Sequence, residues 1–283
     1  MDALGIQKSI LSVTAPGVHL DPNDDVLARK LAREANLFMA EVAKDNPERF
    51  GFFATLPLPS CDAAIEEAEF ALRELKADGI GLLTNNHGTY LGDPKFDQVF
   101  EKLNDMSAKI FLHPTPCRYQ PCEGGHGAVM EPMSSLPGSI LEYMFDTTRT
   151  VTNLLISGTI SRNPDLSFIV PHCGAVIPAT LARSTEFAAK ALKRPNALRL
   201  EEARTLLRKR FYFDLAGWVC SEQLPAILRL TTPDRLVYGS DLPFTPVDVA
   251  NELIGELNDN LASMCGDKEA LAVYRDNALR FFQ

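Results

Sequence analysis

The sequence has no apolar stretch long enough to span a bilayer, so it offers no candidate transmembrane helix and no membrane partner. It has no CxxC pair. Cys117 and Cys122 are the nearest two of six cysteines, and their spacing fits no common zinc motif. Thiols scattered in this way read as reduced. Positive charge is in deficit: 28 Lys and Arg stand against 37 Asp and Glu, a formal net charge of −9. An acidic surface repels a phosphate backbone, which argues against nucleic acid as a partner. The opening MDALGIQKSI lacks a basic n-region and a long apolar h-region, so a cytoplasmic protein is expected. There is no low-complexity tract, and no GxGxxG follows the first apolar run, as a dinucleotide-binding open sheet would require.

What is present is an alternation. Apolar, β-rich runs fall at residues 9–16, 50–58, 79–85, 109–115, 166–174, 211–217 and 235–243. They are nearly continuous rather than alternating, the mark of parallel strands buried on both faces. Stretches with helical spacing lie between them. Residues 62–79 open on an aspartate and close on a glycine, and residues 93–107 open with Asp-Pro. Strand–helix alternation predicts an α/β fold with a parallel sheet, either open and doubly wound or closed as a (β/α)8 barrel. A barrel places functional groups at the C-terminal ends of several strands. Polar residues stand there: His113 in FLHPT, His172 in PHCGA, Asp241 in VYGSD, and Thr84 with Asn85 in GIGLLTN. Seven runs are found where the barrel needs eight. The expectation is one barrel domain over 1–283, lacking a first strand.

Imidazole nitrogen and carboxylate oxygen both bind zinc or manganese, and histidine carries protons near neutral pH. Each residue has a plainer reading. A lone histidine closing an apolar run, such as His113, is most often a satisfied core residue. Asp241 suits a helix cap, and His172 suits a turn bonded to backbone. His19 and His87 read as loop histidines, although His19 follows the first strand and reaches towards the same face. His126 lies in a Gly-rich segment, CEGGHGAV. Arg183 reads as a solvated helix residue whose fork geometry also suits a carboxylate.

At FLHPT, NPDLSFIVPHCGAVIPATLAR and VYGSDLPFTP the chain resembles the amidohydrolase-related decarboxylases, the group of aminocarboxymuconate semialdehyde decarboxylase. SVTAPGV, RFGFFATLPLP, YLGDPKFDQVFEKL and DTTRTVTNLLISG resemble the branch of 6-methylsalicylate decarboxylases from fungal polyketide pathways. The likeness runs through nearly the whole chain. It implies a TIM barrel of the metal-dependent hydrolase type and non-oxidative decarboxylation of a salicylate-type aromatic acid. A metal-free lyase, isomerase or hydrolase, or an inactive family member, are the alternatives. It implies Zn2+ or another divalent metal, with His113 and Asp241 as ligands. It implies His172 as the acid/base group, with Asp241 the other candidate to protonate the ring. Arg183 is implied as a carboxylate contact reaching across a homodimer, and His19, Thr84 and Asn85 are the further substrate-binding candidates. The family's His-x-His strand, which supplies two more ligands, has no counterpart here, and Cys173 and Ala175 replace glycines of the usual turn. Weak or absent metal binding is therefore expected, as are unpaired strand edges that either leave a gap at the seam or are covered by a dimer contact.

Overall fold

The computed structural model describes residues 1–119, 128, 129, 132, 133, 135–194 and 197–283. His126 and Cys122 lie outside the described residues. The chain divides into two compact units, Gln7–Leu166 and the pair of segments Met1–Ile6 and Ser167–Gln283.

The Gln7–Leu166 unit carries four parallel strands: β1 (Ser9–Leu11), β2 (Phe50–Thr55), β3 (Gly79–Leu83) and β4 (Lys109–His113). Their order in space is their order in sequence. Ser9 pairs with Phe50, Phe53 with Gly79, and Leu83 with His113. Helices α1 (Asp25–Asp45), α2 (Cys61–Arg73), α3 (Asp97–Asp105) and α4 (Gly138–Ile156) belong to the same unit. The other unit carries β5 (Ser167–Val170), β6 (Phe211–Asp214) and β7 (Leu236–Val237), parallel and again in sequence order. With it go α5 (Ile177–Glu186), α6 (Leu200–Arg210) and α7 (Val247–Cys265).

The apolar runs form the strands because both faces are covered. All residues of β6 are buried, as are all of β2 after Phe50. Phe53 stacks on Phe111 at 5.5 Å, and Phe168 on Phe211 at 5.1 Å. Burial of each such ring contributes about 1.5–3 kcal/mol. Gly79 is required by the close approach of β3 and β4, since a Cβ there would stand 2.3 Å from the Lys109 carbonyl oxygen. Two strands are shorter than their runs. β1 stops at Leu11 because the chain turns, with Gly17 N–H donating to the Thr14 carbonyl. β7 stops at Val237 because Tyr238 N–H donates instead to the Val273 carbonyl of the C-terminal helices. The expected 62–79 helix likewise ends early, at Arg73.

Side chains stand in for ladder bonds where strands run out. Asn36 on α1 is fully buried; its amide donates to the Thr55 carbonyl and its oxygen accepts Thr55 N–H, at 2.9 and 2.8 Å. The same amide donates to Glu67 on α2, which also accepts from Arg33. The strand mouths are held by Asp146 on α4, a carboxylate with no exposed surface. It accepts from the Thr84 hydroxyl, from the Tyr90 hydroxyl at 2.5 Å and from the Asn85 amide at 3.3 Å. Thr115 N–H approaches at 3.4 Å. These donors follow β3 and β4 in the chain, so one charge pins both loops to one helix. Replacing Asp146 with Ala strands several buried donors and is expected to cost about 3 kcal/mol or more of unfolding free energy, read as a lower denaturant midpoint. A midpoint equal to that of the native chain counts against this role.

Candidate active site

The polar groups at the ends of β1–β4 surround a cavity of about 90 Å³ within the Gln7–Leu166 unit. His19, Asn85, Asn86, His87 and Arg118 line it, and Leu56, Leu58 and Leu82 supply apolar wall. His19 is 6% exposed. Its Nε2–H donates to Asp25 Oδ1 at 2.8 Å, because a carboxylate only accepts. Its Nδ1 shares a 2.9 Å hydrogen bond with His87 Nε2, the rings meeting edge to face. The His19 bond holds the Asp25 carboxyl below its ordinary range, ahead of an opposing burial effect.

His113 closes β4. Its Nδ1 donates to the Pro114 carbonyl at 2.6 Å, which leaves Nε2 as acceptor for the Thr14 hydroxyl at 2.9 Å. Thr84 has no exposed surface and gives its hydroxyl to Asp146, whereas Asn85 reaches both Asp146 and the cavity wall.

The second unit holds His172, Asp241 and Arg183. His172 follows β5 and opens four consecutive residues at positive φ: His172, Cys173 and Ala175 at 53°, Gly174 at 77°. Three of these carry side chains, so the turn stores strain of the kind that accumulates at functional sites. Its main chain is tied down: His172 N–H donates to Asp214 Oδ1 at 2.9 Å, and its carbonyl accepts from Gln223. The ring Nδ1 is buried without a hydrogen-bond partner among the described residues. Burial pushes the Asp214 carboxyl up, opposed in part by the His172 charge. Asp214 closes β6; an aspartate ending the apolar run FYFD was a visible signal that the sequence reading left unused. Asp241 is exposed at φ 53°, bonded to the Thr245 hydroxyl at 3.3 Å. It does not cap α7, whose N-cap is Pro246. Arg183 is exposed on α5, its guanidinium 4.4 Å from the Phe187 ring centroid.

His113 is oriented as a metal ligand is, with Nδ1–H on a backbone carbonyl. The rest of a cation cage is missing: no group of three His, Cys, Asp or Glu among the described residues is placed to hold an ion. The described residues therefore do not fit a resident metal. No described helix is long and apolar enough to cross a membrane.

The amidohydrolase family profile matches residues 8–283. A decarboxylase of Aspergillus niger is 38% identical over 100% of this chain and 76% of its own length. A 6-methylsalicylic acid decarboxylase of Aspergillus aculeatus is 31% identical over 99% of this chain and 82% of its own. The crystal structure of a dihydroxybenzoic acid decarboxylase from Polaromonas with bound manganese is 22% identical and superposes with a TM-score of 0.78. It covers 100% of this chain and 83% of that one, a likeness of fold.

The Asp25 carboxyl titrates lower folded than unfolded, so its contribution to stability is present above the ordinary value of 3.8 and is lost as pH falls through the lowered one. Asp25→Asn is expected to lower Tm at pH 7, and the gap from the native chain should close as pH drops below 3.8. A gap that stays constant across that range in parallel melting curves refutes the assignment.

Proposed function

We propose, for a chain that belongs to the amidohydrolase family, non-oxidative decarboxylation of a salicylate-type aromatic acid such as 6-methylsalicylate. The observation that carries the reading is the His172 ring at the mouth of β5: a buried, unpartnered Nδ1 on a strained turn beside the buried Asp214 carboxyl. A ring nitrogen poised this way suits proton delivery, since no hydrogen-bond partner among the described residues competes for the atom.

The reaction needs one proton on the ring carbon that bears the carboxylate. His172, as imidazolium, gives it; a C–H bond forms and the ring loses its aromaticity, the ortho hydroxyl oxygen stabilising the charge. The bond to the carboxylate then breaks, its electron pair returns to the ring, and CO2 leaves. His172 regains a proton from solvent. Asp214 fixes the turn through the His172 main chain and favours the imidazolium by its charge when ionised. Asp241, exposed at the end of its run, is the second proton carrier in this reading. Arg183 is assigned the substrate carboxylate of a second copy in a homodimer, which its exposure on α5 permits.

The test is 6-methylsalicylate turned over in D2O. CO2 release and 3-methylphenol bearing one deuterium at the vacated carbon are expected, with no oxidant required. For His172→Gln, kcat should fall by about 10²–10⁴ with Tm unchanged, and Arg183→Ala should lower kcat/KM. Absence of CO2 from the native chain overturns the activity; full turnover by His172→Gln removes that residue from it.

The chain's own donors also make it a weak holder of a divalent cation. His113 and Asp241 are the two ligands implied, and catalytic zinc ordinarily has three from protein. Metal analysis after dialysis against a mild chelator should find clearly less than one zinc or manganese per chain. One per chain, retained with ordinary activity, refutes this.

A further inference from the structure

All the described residues that line the cavity belong to the Gln7–Leu166 unit. A buried water needs about 10–15 Å³ of such space, so 90 Å³ admits a group of several heavy atoms. The wall is unusual in charge. In a chain with formal net charge −9, no aspartate or glutamate is among the described residues that line it, while Arg118, His19 and His87 are.

Asn86 supplies the independent observation. It is 8% exposed, lines the cavity, and its Nδ2 finds no acceptor among the described residues. A buried amide left without a partner costs about 1–3 kcal/mol, and native chains seldom leave one so. Its backbone is held in place, because Asn86 pairs with Thr89 across the turn and Asn85 Oδ1 accepts Gly88 N–H at 3.0 Å. The next residue, His87, sits at φ 51°, a conformation costly for a side-chain-bearing residue. His87 is clamped in turn by the Asp25–His19 pair behind it, and Asp25 lies outside the cavity wall. Asp25 fixes the proton on His19 Nε2, so a single proton is left between His19 Nδ1 and His87 Nε2.

From this arrangement we infer that the cavity binds the carboxylate of an aromatic acid, with Asn86 Nδ2 as donor, the His87 ring beside it and the Leu56, Leu58 and Leu82 side chains against the aromatic ring. The aromatic part of this assignment rests on the proposed decarboxylation of a salicylate-type acid; the anionic part rests on the cavity. Asn86 and His87 then position the bound acid, and His19 acts through His87.

Benzoate is the probe, since it lacks the ortho hydroxyl. Its Kd is measured calorimetrically on the full chain, and the side-chain amide of Asn86 and ring nitrogens of His87 are followed by 15N NMR. Both sets of resonances should shift on titration. Asn86→Leu should weaken benzoate by about tenfold or more, as expected when a hydrogen bond to a charged group is lost. Asn86→Asp should weaken it further and leave neutral benzamide less affected, a contrast that loss of packing does not produce. The native-chain titration stands even where a variant folds poorly. Unshifted resonances, or equal benzoate affinity in both variants and the native chain, overturn the site. Bicarbonate that shifts Asn86 while benzoate does not overturns the aromatic ligand. Benzoate bound through Asn86 in a chain that releases no CO2 upholds the site and sinks the decarboxylase reading; CO2 release with benzoate affinity insensitive to Asn86 does the reverse.

Discussion

A single buried negative charge organises the mouth of β3 and β4. Asp146 has no exposed surface, and a carboxylate in that position is tolerable only when donors replace its hydration. They come from Thr84, Asn85 and Tyr90, all in the chain after β3. Burial, then the bond to Asp146, pushes the Tyr90 hydroxyl above its ordinary range, so it remains a donor at any physiological pH. Thr84 is doubly used, since its carbonyl accepts from Thr150 on the same helix as Asp146. The loop bearing Asn85, Asn86 and His87 is therefore fixed at its root, which is what allows the turn beyond it to hold a strained residue and an amide with no partner.

The second organising fact is where charge is kept away. Many of the chain's acidic groups pair with Arg or Lys at the surface, as in Glu66 with Arg29, Asp97 with Arg162 and Glu186 with Arg199. Such pairs are worth little each. Glu186, bonded to Arg199 and Lys190, is held down to about 2, so it stays ionised across ordinary pH. The cavity wall, by contrast, has donors and no carboxylate among its described residues, a distribution of charge that favours an anion as ligand.

The strand runs were legible because burial on both faces writes continuous apolar sequence, and seven runs gave seven parallel strands, four in one unit and three in the other. Their ends were less legible. Nothing local announces that Tyr238 leaves β7 to bond Val273, a partner 35 residues away. The chemistry was visible in part. His113, His172 and Asp241 stand out by type and position at run ends. Asp146 and Asn86 do not: an aspartate in DTTRTV reads as a helix surface residue, and only the packing shows that it is buried. Asp25 reads as a first-turn acid of α1, favoured there by the helix dipole, and its second use, fixing the His19 tautomer, depends on a contact six residues back.

Histidine roles follow from what the two ring nitrogens meet. In His113, a carbonyl faces Nδ1 and a hydroxyl faces Nε2, so the ring is held in orientation at both nitrogens. In His19, a carboxylate takes Nε2–H and another imidazole faces Nδ1, so the ring is fixed between Asp25 and His87. In His172 the neighbouring Asp214 spends one oxygen on main-chain N–H groups, of His172 and of Ala216, rather than on the imidazole. The ring feels that carboxylate through its charge alone, and Nδ1 is left buried without a partner among the described residues. One residue type thus meets three different surroundings in one chain, and the difference lies in the partner of the second nitrogen.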